Sequence, residues 1–268
     1  MNIKNNIIKS QLSKDGIALI RNEETTYEQF ISLIENNSSH ICIDPARKGM
    51  APGLVSSGTE EIGLHLENGT FCNVPHLCWF FCEKAPEKGS RTTFCDGVKI
   101  WSHLSKKTKK IFISKKIKFE RIFSIGQWRN ILSNYDPSFC MEKSTQDDII
   151  RFGNKFEGQI FKKHTHGSVI SEFTTSAVLK SNFSQNFSFA NSLFTPSYNY
   201  APPVITFENG EVIDPSILKE IEHLTKKFTV SHDWKDGDIL VLDNHRIMHG
   251  REKIISKNRK IYNIMSFI

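Results

Sequence analysis

The chain has 268 residues, 38% hydrophobic and 24% charged, with a formal net charge of +6. That length can bury a sizeable core, and the composition is that of folded globular proteins rather than of disordered or fibrous chains. No run of about 18 apolar residues occurs, which excludes a membrane-spanning helix; the opening from Met1 to Asn6 lacks the apolar stretch of a secretory leader, so a cytoplasmic protein is expected.

Along the chain, Gly16 to Ile20 is a short apolar run and reads as a strand. Thr25 and Glu28 form a Thr-x-x-Glu capping box ahead of Phe30, Ile31, Leu33 and Ile34, which predicts a helix. Ile41 to Ile43 is a second strand, closed by Asp44-Pro45. From Glu61 the pattern turns to strands: Ile62, Leu64 and Leu66 alternate with Gly63, His65 and Glu67. His76 to Cys82 is almost continuously apolar, as expected for a strand covered on both faces, with Cys78 and Cys82 acting as small apolar groups. Thr92 to Asp96 is a further strand, leading into a helix from Gly97 to Leu104.

The densest basic run, Lys106 to Lys118, mixes Lys with Ile and Phe and then meets Glu120. It reads as a solvated face rather than a nucleic-acid patch, and neither a nucleic acid nor a membrane is expected as partner. Beyond it come a helix at Gln127 to Leu132 and an aromatic stretch, Phe183, Phe187, Phe189 and Phe194, that reads as core packing. Asn209-Gly210 predicts a hairpin joining Val204–Phe207 to Glu211–Ile213. Asp214-Pro215 then supplies an N-cap and a first-turn proline for a helix with Ile217, Leu218, Ile221, Leu224 and Phe228 on one face. A turn at Gly237-Asp238, a strand at Ile239–Leu242 and a final strand at Ile261–Ile268 complete the chain.

The six cysteines include no CxxC pair, so a structural zinc site is not expected and the thiols should be reduced. No repeat or linker divides the sequence, and a single domain over 1–268 is expected. Short strands with few long helices predict a mainly β protein, two packed sheets with flanking helices.

The chemistry concentrates at His65-Leu66-Glu67, where strand spacing puts an imidazole and a carboxylate on one face. His249, just after a strand, is the best third ligand. Two His and one carboxylate leave three adjacent coordination positions open, the arrangement that suits Fe(II) oxygenases.

Around these residues stand Pro75 ahead of Trp79-Phe80-Phe81-Cys82, then Pro86-Glu87-Lys88-Gly89-Ser90-Arg91-Thr92 ending at Asp96. Downstream follow Trp234-x-x-Gly237-Asp238, Asp243-Asn244, His249-Gly250-Arg251 and Arg259. In order and spacing this set resembles the taurine dioxygenase and clavaminate synthase superfamily of Fe(II)/2-oxoglutarate oxygenases. The resemblance implies a distorted double-stranded β-helix (jelly roll), with His65, Glu67 and His249 ligating Fe(II). It implies that Arg259 pairs with the far carboxylate of 2-oxoglutarate, a fit that a guanidinium fork makes with two parallel hydrogen bonds, and that Thr92 donates to the same group. With O2 as second cosubstrate, the implied reaction is hydroxylation of an unactivated C–H bond in a small molecule.

Three departures bear on the substrate. Gly89-Ser90 stands where the family often has Gly-Gly, and Asn263 where many members carry a second arginine, which puts a taurine-like sulfonate in doubt. The carboxylate is Glu rather than the commoner Asp, as in clavaminate synthase and hydroxylases of arginine and asparagine; a free or carrier-bound amino acid in a biosynthetic pathway is therefore expected. Halogenation is disfavoured because a halide needs the coordination position that Glu67 fills. The alternatives are a desaturase or isonitrile-forming oxidase on the same centre, or a non-catalytic binding protein of the same fold. His164-x-His166 also has ligand spacing, but in a polar turn-like stretch; His245 reads as a supporting group, and Arg251 as either a substrate contact or a loop brace.

Overall fold

The fold is described from a computed structural model over residues 3–42, 53–55, 58–135, 138–195 and 200–268. It begins with a helix, α1 (Ile3–Asp15), which the sequence reading passes over. Little marks it in the sequence, because its packing rests on Ile8 and Leu12, one turn apart and buried. Gly16, at φ +73°, closes it by donating its N–H to the Leu12 carbonyl at 2.9 Å, and the strand β1 (Ile17–Arg21) follows. In helix α2 (Tyr27–Glu35) the capping box is Thr26 with Gln29, one residue beyond the expected Thr25–Glu28 pair. The Gln29 N–H donates to Thr26 Oγ1 at 3.3 Å and the Thr26 N–H to Gln29 Oε1 at 3.1 Å. The expected second strand is β2 (His40–Cys42); Ile43, Asp44 and Pro45 lie outside the described residues, as do Met1 and Asn2.

β3 (Ile62–His65) stops short of Glu67, which sits in the turn that follows. β4 (Leu77–Lys84) and β5 (Thr92–Asp96) fall where expected, and α3 (Gly97–His103) starts at an Asp96 cap whose carboxylate accepts the Val98 N–H at 2.9 Å. Most of the basic run is a helix, α4 (Lys106–Ser114), that buries Thr108 and Phe112. β6 (Ile117–Phe123), α5 (Ile125–Tyr135), α6 (Gln146–Gly153), β7 (Gln159–Lys163), β8 (Val169–Thr175), β9 (Leu179–Lys180) and β10 (Phe187–Ser188) fill the middle of the chain.

β11 (Val204–Phe207) corrects the hairpin expectation. The Asn209-Gly210 turn is present, with the Gly210 N–H donating to the Phe207 carbonyl at 2.9 Å. Glu211–Ile213 does not continue as a strand, however: after the Phe207 N–H donates to the Glu211 carbonyl at 2.8 Å the chain runs straight into the Asp214 cap of α7 (Pro215–Phe228), and the strand partner of β11 is β6. β12 (Thr229–His232), β13 (Asp238–Asp243), β14 (Ile247–Arg251) and β15 (Lys260–Phe267) complete the order. Among the described residues no helix is long and apolar enough to cross a membrane.

The strands form a five-stranded sheet in the order β1-β13-β4-β15-β2, and four-stranded sheets in the orders β12-β5-β14-β3 and β11-β6-β8-β7, with β9 and β10 as a small pair. β4 shows how the layers are specified. Its Leu77, Trp79 and Phe81 pack under α1 and α2 with Ile8, Leu12, Phe30 and Ile34. The alternate residues Cys78, Phe80 and Cys82 face Phe94 of β5 and Ile247 of β14. The far side of that second sheet, through Cys95 and Met248, packs with Phe119, Phe161 and Phe173 of the third sheet. The protein is thus mainly β, a distorted double-stranded β-helix with helices outside. Of the four phenylalanines read as core, Phe189 is fully buried, whereas Phe187 and Phe194 are 53% and 42% exposed; their stretch is loop and two-residue strand rather than a core element. All six cysteines are thiols without a disulfide, and burial pushes Cys82 and Cys95 up to about 12, which keeps them protonated and unreactive.

Candidate metal centre

β14 alternates Ile247 and His249 toward the first sheet with Met248 away from it. His249 therefore points between the two sheets, where its ring meets Phe80 edge-on at 5.3 Å. β3 runs antiparallel beside β14 with His65 directly opposite His249, their ring centroids 4.5 Å apart. Glu67 reaches the same place from its turn: its Oε2 lies 3.0 Å from His249 Nε2 and 3.8 Å from His65 Nε2. One ligand atom from each of the three residues lies within 4.8 Å of the others, and among the described residues no other His, Cys, Asp or Glu group is so arranged. The shared-strand-face expectation for His65 and Glu67 is corrected in its means only. The strand ends at His65, and the turn brings the carboxylate round.

The electrostatics favour the ionised, ligand form of Glu67. Burial pushes the Glu67 carboxyl up, but hydrogen bonds and charge from His249 and His65 outweigh it and hold it well below the ordinary carboxylate range. His65 Nδ1 lies 2.9 Å from the Gly63 carbonyl, an arrangement that orients Nε2 toward Glu67.

Thr92, on the inner face of β5, sits opposite Arg251 of β14. Its Oγ1 accepts the Trp234 indole N–H at 3.0 Å, which leaves its own O–H to donate. Arg259 precedes β15, and its charge is felt by Arg251 and by Cys82 on the inner face of β4. Burial, then the repulsion of Arg251, pushes the Arg259 guanidinium down to about 10. Its Nη2 is buried and has no hydrogen-bond partner. A buried donor without an acceptor calls for one, and a carboxylate would satisfy it. The residues present thus fit a divalent iron bound beside a dicarboxylate.

The remaining candidates separate from this cluster. His164 and His166 lie on a single 3-10 turn, where the His164 Nδ1 is 2.9 Å from Ser168 Oγ; neither joins the cluster. His245 is half-buried against His76, ring centroids 5.5 Å apart. Arg251 braces the chain ahead of β3, donating to the Gly58 and Glu60 carbonyls at 3.2 and 2.7 Å. Asn263 is buried and donates to Cys78 Sγ at 3.2 Å, so the position of the family's second arginine belongs here to the core.

The structural roles of three residues, two of them named above only as motif positions, went unread in the sequence. Ser90 takes a left-handed φ of +59°, which explains the family's glycine there, and its Oγ accepts the Ile255 N–H at 3.0 Å. Arg121, on the core face of β6, is buried and donates to Thr70 Oγ1 at 2.8 Å, three residues beyond Glu67. Asn244 bonds the Glu67 peptide itself. Of these, only the Arg121 alternation between Phe119 and Phe123 leaves a signal in the sequence, a charge at a core position.

The family model described as Taurine catabolism dioxygenase TauD, TfdA family matches residues 3–265. The chain belongs to this family. Its members are Fe(II)- and 2-oxoglutarate-dependent dioxygenases, oxidoreductases that consume O2. Among curated relatives, 3-((Z)-2-isocyanoethenyl)-1H-indole synthase of Fischerella ambigua (strain UTEX 1903) is 26% identical over 199 residues, 72% of this chain and 58% of the relative. The chain therefore spans less than two thirds of that protein's length. Dapdiamide synthesis protein DdaC of Enterobacter agglomerans is 23% identical over 264 residues, 90% of this chain and 79% of the relative. PvcB of Pseudomonas aeruginosa, described as an Fe, alpha-ketoglutarate dependent oxygenase from an isonitrile synthetic pathway, shares the fold with a TM-score of 0.60 at 11% identity, over 99% of this chain and 80% of PvcB.

Proposed function

We propose that the chain is a single oxygenase domain, cytoplasmic, that hydroxylates an unactivated C–H bond of a small molecule, an amino acid either free or carrier-bound. The observation that carries this reading is the convergence of His65, Glu67 and His249 between the sheets. In it these three residues hold Fe(II), and Arg259 and Thr92 receive the far carboxylate of 2-oxoglutarate. Iron with the keto acid and O2 would supply the oxidant, the overall balance being R–H + 2-oxoglutarate + O2 to R–OH + succinate + CO2.

The chain's own residues have defined tasks. Glu67, held ionised, contributes the negative charge that a divalent ion needs. Arg259 and Thr92 orient the keto acid with its reactive end toward the histidines. Phe80 and Trp234 keep bulk water from those groups; both are buried. Arg121, beside the Glu67 turn, suits a substrate that carries a carboxylate, in line with an amino-acid skeleton.

A second reading keeps the centre and changes the outcome to desaturation or isonitrile chemistry. The Fischerella relative, whose named product carries an isocyanoethenyl group, favours it. Product analysis with a turned-over substrate separates the two. The centre itself is tested by anaerobic titration of the apoprotein with Fe(II) and then 2-oxoglutarate, following the weak visible charge-transfer band of the chelate. The band is expected in wild type and absent in Glu67→Ala. Its absence from folded, metal-bound wild type would overturn the reading.

A further inference from the structure

Glu67 and His249 come from segments 182 residues apart, and Glu67 lies in a turn beyond the last ladder bond of β3. Its peptide is held instead by one side chain. The Glu67 N–H donates to Asn244 Oδ1 at 3.1 Å, and Asn244 Nδ2 donates back to the Glu67 carbonyl at 3.1 Å. The same Nδ2 also donates to the Pro75 carbonyl at 2.9 Å. An amide is the side chain that can accept and donate at once in this way, copying a strand neighbour; a carboxylate only accepts.

Asn244 is itself immobilised. It is fully buried, and its N–H donates to the His76 carbonyl at 2.9 Å. The preceding Asp243 carboxylate accepts from Ser181 Oγ at 2.6 Å and from the Asn182 N–H and Nδ2, each at 3.0 Å. Five residues after Asn244 the same chain delivers His249.

We propose that Asn244 is a positioning residue: its two-way bond to the Glu67 peptide locks the Glu67 carboxylate to the segment that carries His249. The inference rests on the reading of His65, Glu67 and His249 as metal ligands. It says that the carboxylate is placed before any metal arrives. Loss of a group that orients a ligand typically weakens metal binding by about 10–100-fold.

Co(II) is the probe, added to the full-length apoprotein and followed by its visible d–d absorption. Asn244→Ala should bind it about 10–100-fold more weakly than wild type, with an altered band. Asn182→Ala removes a bond from the same turn without touching Glu67; it should lower thermal stability and leave Co(II) affinity near wild type. Equal affinity in Asn244→Ala and wild type, or equal weakening in both variants, would overturn the proposal. Should Asn244→Ala fail to fold, amide exchange in wild-type apoprotein decides: the Glu67 N–H is expected to be protected, and exchange at the rate of an open turn overturns the idea. Wild type that binds no Co(II) would remove the metal reading, and this inference with it.

Discussion

Arg259 is the residue whose surroundings ask most plainly for a ligand. Its guanidinium is drawn out of water, lies within reach of a second cation at Arg251 and keeps Nη2 without an acceptor. Such a group costs free energy in the unliganded protein and returns it when an anion binds. Removing one partner of a buried charged pair typically costs about 2–5 kcal/mol, so Arg259→Gln should weaken 2-oxoglutarate binding at least about 30-fold. Fe(II) binding should be unaffected, since Arg259 touches no member of the triad. Calorimetric titration of metal-loaded variant and wild type with 2-oxoglutarate checks this; equal affinities would release Arg259 from the role.

At the scale of elements, one side chain ties three together. Arg246, in the turn before β14, makes a two-pronged bond to Asp96, which caps α3, at 3.0 and 2.8 Å. It also donates to the Lys14 carbonyl at the end of α1, at 3.1 Å. Both charged groups are largely buried, with side chains 7% and 12% exposed. Breaking such a pair from one side strands the other charge, at a cost of about 3–5 kcal/mol. Arg246→Met should therefore lose about that much stability in urea denaturation, and the double variant Asp96→Asn/Arg246→Met should recover part of it. A loss under about 1 kcal/mol would mean that the pair is solvated after all.

For the whole molecule, His245 contributes a loss of stability in acid. Burial, with His76 adding repulsion, pushes the His245 imidazole down to about 4 from its ordinary 6.5. Between those values the unfolded chain takes up a proton that the folded chain refuses. Stability from this group is complete above about pH 6.5 and is lost as the pH falls toward about 4, amounting to about 3 kcal/mol. Replacing His245 by Gln should flatten the fall in urea midpoint between pH 7 and pH 4.5. Parallel pH profiles for variant and wild type would show that other groups carry the acid sensitivity.

Much of this was legible from residue order. The apolar run from His76 to Cys82 and the Asp214-Pro215 helix start are local signals, and β4 and α7 lie where those signals put them; His65, Glu67 and His249, singled out by their chemistry and by the family resemblance, come together between the sheets. What stayed hidden depends on contacts between distant segments. Whether Thr25 or Thr26 caps α2 depends on turning Phe30 and Ile34 onto the first sheet, and beyond the bond from the Phe207 N–H to the Glu211 carbonyl the chain after β11 turns into α7 rather than extending a hairpin. Asn244 looks in the sequence like any turn asparagine; only the fold brings it to Glu67. Sequence alone, then, determined which chemical groups are available and which strands are covered on both faces, because periodicity and side-chain chemistry are properties of the chain itself. Tertiary structure decided which peptide each amide and guanidinium meets, because hydrogen bonds between segments 177 residues apart form only once the sheets have packed.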